Sequence, residues 1–221
     1  MPRRNLIPFT LLAVLVILAL AFAVIGQTSS PNRASLAVQN ATSATFGDPA
    51  GSNSFTMNLS ASLSASLHAS SISQERLITY RAPSGAPSRL TVYERVAPGT
   101  VRRLAVLGPS AIPCVLSSYA SIVGGGTAWS GDGHIYTRDE TLADFSSRVP
   151  HSGGTTCAPQ PSGVHGSVAE QAILRSGYLV DLTIIVSVPA QRLANGSPAS
   201  HGVEGERLQF LTIGGTTVAD L

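Results

Sequence analysis

The most constraining feature of this chain is a strict alternation of apolar and polar residues from Phe55 to Leu67. The odd positions read Phe, Met, Leu, Ala, Leu, Ala, Leu, and the even positions hold only Thr, Asn and Ser. Only an extended strand converts a period of two into one apolar and one polar face. The segment therefore predicts a strand of roughly 40 Å, at about 3.3 Å per residue, within a large curved antiparallel sheet.

Shorter strand patterns follow and are separated by turns rich in glycine and proline. They cover Arg76–Ala82, Ser88–Val96, Thr100–Leu107, Thr127–Trp129, His134–Arg138, Ala169–Arg175, Tyr178–Val188, Glu206–Ile213 and Thr216–Ala219. The turns between several of them predict consecutive hairpins. Ala169–Arg175 also fits a helix, because Gly177 could cap one.

Helical patterns are short and few. Thr141–Arg148 predicts a helix, and Ile112–Val123 fits either a short helix or an irregular segment. His151–Gly166 and Gln191–Gly205 are rich in small and turn-forming residues and are predicted to be loops. The predicted fold class is mainly β (α+β), a curved antiparallel sheet or half-barrel with one or two short helices.

The chain opens with an apolar segment, Leu6–Ile25, which contains no charged residue and follows Arg3 and Arg4. A segment of this length can cross about 30 Å of hydrocarbon as a helix, with the arginines on the cytoplasmic side. A cleaved secretory signal is the alternative, because Ala21-Phe22-Ala23 has the form of a cleavage site. Both alternatives predict that the rest of the chain is exported.

Residues 27–53 are rich in serine, threonine, asparagine, alanine and glycine and show little periodicity. This composition predicts a flexible tether. The predicted organisation is a membrane anchor or signal segment over 1–27, a tether over 28–53 and an extracytoplasmic β-rich domain over 54–221.

Cys114 and Cys157 are the only cysteines of the chain. In an exported protein they most simply form one disulfide bond, which stabilises by about 2–4 kcal/mol. A zinc site on Cys157, His151 and His165 is the alternative, but their spacing matches no compact ligand signature. We therefore predict a disulfide bond and no metal site.

All fourteen basic residues are arginine. Without lysine the chain cannot carry a Walker A phosphate loop, a pyridoxal Schiff base or a Ser-Lys catalytic pair. Once Arg3 and Arg4 are set aside, the arginines and carboxylates balance. A neutral domain is a poor nucleic-acid binder, so no nucleic-acid partner is predicted.

Common catalytic motifs are missing from the sequence. It contains no Gly-x-Ser-x-Gly nucleophile elbow, no dinucleotide glycine fingerprint and no His-Glu-x-x-His zinc motif. Asp139, Glu140 and Asp144 could form a carboxylate pair of the glycosidase type, but they also suit the start of a helix. Glu204 and Glu206 could form a second such pair, but we expect them to lie on a loop. We predict neither catalytic residues nor a cofactor.

Several segments together resemble a known superfamily. They are FTMNLSASLSASL, LITYRAP, RLTVYERV and RRLAVLG, followed by a hairpin around a tryptophan and by IYTR. This order is similar to that of actinobacterial lipid-binding lipoproteins, whose lipid-attachment cysteine the chain lacks, and of the periplasmic LolA-type lipoprotein carriers. In that superfamily a curved sheet wraps over helices as a half-barrel and holds acyl chains between them.

The resemblance implies that the apolar face of the long strand lines a cavity. The lining would comprise Phe55, Met57, Leu59, Leu63 and Leu67, joined by Tyr93, Val106 and Trp129. We expect a non-catalytic, membrane-tethered domain outside the cytoplasm that binds a lipid or another apolar ligand at the cell envelope. The alternative is a structural or interaction module that contacts another envelope protein, with the apolar face closed as an ordinary core.

Overall fold

The computed structural model describes residues 32–47, 54–65, 70–81, 88–153, 156–159, 163, 165–188, 202–214 and 216–217. The predicted anchor, Leu6–Ile25, lies outside these residues. Within them, no helix is both long enough and apolar enough to cross a membrane.

An antiparallel sheet dominates the described part of the chain. Its strands are β1 (Phe55–Ala65), β2 (Ser70–Arg81), β3 (Arg89–Ala97), β4 (Thr100–Leu107), β5 (Ser130–Asp132), β6 (Ile135–Thr141), β9 (Ser167–Arg175), β10 (Tyr178–Ser187), β11 (Gly202–Ile213) and β12 (Thr216–Thr217). β7 (Pro150–Gly153) and β8 (Thr156–Pro159) form a separate hairpin. The order in the sheet is β4-β3-β2-β1-β11-β10-β9-β6-β5, with β12 beside β11.

These described strands leave β4 and β5 as the two edges, so they do not close into a barrel. The predicted fold class, a mainly β domain with a curved antiparallel sheet and few helices, is confirmed. The predicted long strand is β1, which extends from Phe55 to Ala65 within the described residues.

The alternation of β1 defines the two faces of the sheet. Phe55 and Met57 are buried on the face that we call the inner face, and Thr56 lies on the opposite, outer face. The neighbouring strands continue this pattern because antiparallel partners point to the same side. Opposite Phe55, Met57 and Leu59 lie Tyr80, Ile78 and Arg76 on β2, and Ile213, Phe210 and Leu208 on β11.

Helix α1 (Arg33–Phe46) packs against β9 and β10. Its buried residues are Val38, Ala41, Thr42, Thr45 and Phe46, which recur with the helical period. The expected flexible tether is therefore wrong over this helix. The composition is misleading because alanine and threonine form much of the apolar stripe. The hydroxyls of Thr42 and Thr45 donate to the carbonyls of Val38 and Ala41 at 2.7 Å, which permits their burial.

Two further helices follow β4 and β6. Helix α2 (Ile112–Val123) has a proline in its first turn, where no helical N–H is lost. Helix α3 (Leu142–Arg148) begins after Thr141, whose hydroxyl oxygen accepts the N–H of Asp144 at 3.1 Å. The described part of the chain thus contains three helices where one or two were expected.

Phe46 connects α1 to the sheet and to α2. Its ring meets the rings of Phe55 and Phe210 edge to face, with centroids 5.8 and 5.5 Å apart. It also stacks on Tyr119 of α2 at 6.1 Å. Each such pair is worth about 0.5–1.5 kcal/mol beyond the area it buries. The inner face beneath α1 is therefore a filled aromatic core.

Some local expectations differ from the structure. Thr127–Trp129 is not a strand, because the chain bends at Gly125 and Gly126, both with positive φ, and pairing begins only at β5. The predicted loop His151–Gly166 contains most of the β7–β8 hairpin. Ala169–Arg175 is a strand, as part of β9, and the end of the predicted loop Gln191–Gly205 belongs to β11.

Candidate functional site

The predicted lining residues do not form one surface. Phe55 and Met57 belong to the aromatic core, and Leu59, next on the inner face, is only partly buried. Trp129 is buried on the same face but at the β6 end of the sheet, 4.4 Å from the guanidinium of Arg138, and its indole N–H donates to the carbonyl of Val123 at 3.3 Å. Leu67 and the side chain of Leu63 lie outside the described part of the structure.

Tyr93 and Val106 lie on the outer face. Inner-facing Ile78 pairs with Val92, so the next residue, Tyr93, points to the other side. Val106 pairs with Thr91, which also points outward. The expectation that these two residues join Phe55 does not hold, because a shift of one residue along a strand reverses the face.

Beyond the aromatic core, the residues of the inner face are less completely buried. Leu59 and Ala61 on β1 and Val186 on β10 are partly buried, and we call these three residues the inner strip. By register, Gln74 and Arg76 on β2 flank the strip on one side, and the Nη2 of Arg76 donates to the Oε1 of Gln74 at 3.1 Å. The strip therefore combines apolar side chains with polar neighbours on both sides of β1, since Glu206 of β11 lies opposite Ala61 on the same face.

Tyr119 of α2 is close enough to the charged residues beside the inner strip for their charges to affect its pKa. Burial, and then the negative charge of Glu206 on β11, raise the pKa of Tyr119 to about 12, and the positive charge of Arg76 opposes them. Its phenol therefore stays neutral and keeps its O–H donor at physiological pH. Glu206 lies on β11, in agreement with the predicted strand Glu206–Ile213 and not with the loop suggested for the pair Glu204 and Glu206.

A second site is a buried ion cluster formed by Arg138 on β6, Glu140 on β6, Arg148 on α3 and Glu170 on β9. The side chains of Arg138, Glu140 and Glu170 are fully buried, and that of Arg148 is 13% exposed. Arg138 pairs with Glu170, and Arg148 pairs with Glu140 and lies 3.3 Å from Glu170. Two positive and two negative side chains thus compensate one another, as buried charges require.

The two arginines of this cluster also cap α2. Arg138 and Arg148 each donate to the carbonyl of Ile122 at 2.7 Å, and both reach carbonyls in the glycine segment that follows. Cations stabilise a helix C-terminus because its last carbonyls lack partners. A side chain at Gly126 would place its Cβ 2.5 Å from the Glu140 carboxylate, so glycine is required there.

Glu170 is the electrostatically unusual member of the cluster. Burial raises the pKa of Glu170 to about 7, although the hydrogen bond and positive charge of Arg138, and the charge of Arg148, oppose this shift. All four side chains bond to one another or to backbone carbonyls. This arrangement fits a structural role, which holds α2 and α3 on the sheet.

The sequence patterns place Glu140 in a carboxylate pair or at a helix start and do not predict this cluster. The available signal was the alternation of β6 and β9, which places Arg138, Glu140 and Glu170 on the same face as Tyr136 and Ala172. A charged residue at an inner position must find a buried partner. Asp144, in contrast, lies in the first turn of α3, as expected.

The cysteines and histidines were the other candidates for chemistry. Cys114 on α2 is disulfide-bonded. The only other cysteine is Cys157, whose side chain lies outside the described part, so the pairing itself stays a prediction. Among the described residues, no group of three or more histidine, cysteine or acidic side chains could hold a metal ion.

Comparisons with known proteins identify no family for this chain. No family model matches it, and no curated protein matches it. Among solved structures, it is similar to a LolA superfamily protein from Nitrosomonas europaea, with 11% identity and a TM-score of 0.27 over 85% of this chain and 95% of that protein. A likeness of this size assigns neither a family nor a function.

Proposed function

We propose that the domain is a non-catalytic binding module that holds a lipid or another apolar ligand on the inner strip. The observation that carries this proposal is the incomplete cover of the inner face. Leu59, Ala61 and Val186 stay partly exposed, whereas Met57 and Leu208 beside them are buried. A ligand that covered the strip would gain about 25 cal/mol for each Å² of apolar surface removed from water.

The charged edge of the strip suits an amphipathic ligand. Arg76 lies opposite Glu94 of β3 in the strand register, and Glu94 forms a 2.5 Å ion pair with Arg102 of β4. At the level of Leu59, the inner face therefore changes from apolar on β1 to ionic on β2–β4. A ligand with an acyl chain and a polar headgroup matches that change better than a wholly apolar molecule does.

We also propose that the domain is located at the cell envelope. The apolar segment Leu6–Ile25 with its preceding arginines would anchor the chain or direct its export. The disulfide bond at Cys114 supports an oxidising compartment, since such bonds persist outside the cytoplasm. The domain would then act on the outer side of the membrane.

The proposal assigns no catalysis to the groups with altered pKa. Glu170 is bonded to Arg138 inside the ion cluster, and Tyr119 stacks on Phe46. Both side chains therefore have structural partners that account for their burial. Neither residue belongs to a recognisable nucleophile and base pair.

Ligand binding can be tested with a photoactivatable fatty acid and the full chain. We expect cross-links to peptides that contain Leu59 and Ala61. Ala61→Trp should reduce these cross-links at least tenfold, because the indole would fill the strip. Ser60→Trp is the matched control, since residue 60 lies on the outer face, and it should leave the cross-links unchanged. Peptides of Leu6–Ile25 provide an internal reference for lipid contact in every sample.

Cross-links confined to Leu6–Ile25 in the wild-type protein would contradict the proposal. The domain would then be better described as an interaction module, which the exposed edge of the sheet supports. Edge strand β4 exposes Val101, Leu104 and Val106, at 43–48% of their surface. An exposed apolar edge strand can pair with a strand of another protein.

A further inference from the structure

The outer face carries a depression that neither the inner strip nor the ion cluster uses. It lies between β2 and β3, has a volume of about 320 Å³ and is lined by Thr79, Arg81, Arg89, Thr91 and Tyr93. These side chains supply two guanidinium groups and three hydroxyl groups, and none of the five is acidic. Every one of them can donate a hydrogen bond.

The two arginines of this depression lie directly opposite each other. Arg81 is the last residue of β2 and pairs with Arg89, the first residue of β3. Like charges at opposed positions of a ladder destabilise it. Among the described residues, no carboxylate lies within ion-pair distance of either, whereas Arg95 and Arg207 on the same face pair with Glu75 and Asp181.

The connection between β2 and β3 adds no acidic residue to this site, because residues 82–88 are Ala, Pro, Ser, Gly, Ala, Pro and Ser. A second depression of about 260 Å³ adjoins the first and shares Thr79 and Arg81 with it. It adds the hydroxyl-bearing residues Ser54, Thr56 and Thr212 to the surroundings of Arg81. The local surface is therefore positive and rich in hydrogen-bond donors.

We propose that the outer face of β2 and β3 binds an anion of the phosphate class between Arg81 and Arg89. The planar guanidinium group matches phosphate oxygens with paired N–H donors, and the hydroxyls of Thr79, Thr91 and Tyr93 can complete the site. The bound anion removes the repulsion between the opposed arginines. The anion can be free phosphate, a phosphate monoester or the phosphodiester of a lipid headgroup.

Isothermal titration of the full chain with inorganic phosphate tests this site. We expect saturable binding that weakens as sodium chloride is raised. The double variant Arg81→Gln/Arg89→Gln should weaken binding at least tenfold. Arg175→Gln is the matched control, because Arg175 is also an exposed arginine at the end of a strand, β9, and it should bind phosphate like the wild type.

Water-soluble glycerophosphoglycerol separates the sources of the anion. Binding of this diester as tightly as phosphate identifies a lipid headgroup, and binding of phosphate alone identifies a free anion or a monoester. Melting curves confirm that the variants fold, and phosphate should raise the melting temperature of the wild type but not of the double variant. The proposal fails if neither probe binds the wild type, or if Arg175→Gln weakens binding as much as the double variant does.

Discussion

Glu170 is a carboxyl group enclosed by the sheet and held beside two guanidinium groups. Burial favours its protonated form, the arginines favour its ionised form, and burial dominates, so its pKa rises from 4.5 to about 7. The folded state therefore binds a proton that the unfolded state releases between these two pH values. The stability from this group is present below pH 4.5 and is lost as the pH rises through about 7.

We expect the free energy of unfolding to fall between pH 5.5 and pH 8.5, through the loss of about 2 kcal/mol at Glu170. Glu170→Gln keeps the size and neutrality of the protonated side chain, so its unfolding free energy should depend less on pH. Denaturant titrations of both proteins across this range measure the difference, in which the histidine contributions cancel. Parallel pH profiles for the two proteins would refute the assignment.

At the scale of the elements, the hydroxyl group of Thr45 connects α1 to the sheet through a hydrogen bond. Thr45 Oγ1 donates to the carbonyl of Ala41 and also accepts the backbone N–H of Leu179 on β10 at 2.8 Å. Thr42 lies one turn earlier, and within the described part of the chain its hydroxyl makes one hydrogen bond, as donor to the carbonyl of Val38. Thr45 therefore binds two backbone groups, a carbonyl and an N–H, whereas Thr42 binds one carbonyl.

Thr45→Val should lower the free energy of unfolding by about 1–3 kcal/mol, because the buried N–H of Leu179 loses its acceptor. Thr42→Val should change it by less than about 0.5 kcal/mol, because the carbonyl of Val38 is already the acceptor of a helical hydrogen bond. Thr45→Ser keeps the acceptor and should restore most of the loss. Equal destabilisation by the two valine variants would show that Leu179 does not depend on Thr45.

The same elements show what local sequence could predict. β1 was predictable because each of its residues from Phe55 onward alternates without interruption, and β4 begins and ends as expected at Thr100 and Leu107. Helix α1 was not, because Thr42 and Thr45 become suitable for burial only through hydrogen bonds to the preceding turn. Composition alone gives no information about those bonds.

At the scale of the whole molecule, the sheet depends on pairings between distant segments. β1 pairs with β11 and β6 pairs with β9, and no turn motif in the sequence signals either contact. The inner strip and the ion cluster require these pairings, since Ala61 lies beside Glu206 and Arg138 beside Glu170 only through them. The sequence contains the residues of both sites, but only the pairing register of the strands shows which of them become neighbours.

The predicted disulfide bond between Cys114 and Cys157 would act at this same scale, because Cys114 lies on α2 and Cys157 on β8, and α2 contacts the neighbouring strand β7. A covalent link between them would restrict the unfolded chain over the segment that contains α3, β5 and β6. Cys114→Ser and Cys157→Ser should each lower the free energy of unfolding by about 2–4 kcal/mol. The double variant should lose no more than either single variant, because both remove one bond.

Thermal melting measures the losses, and a thiol assay on the unfolded, unreduced wild type should find no free thiol. Two reactive thiols in that assay, or additive losses in the double variant, would show that the cysteines are not bonded to each other.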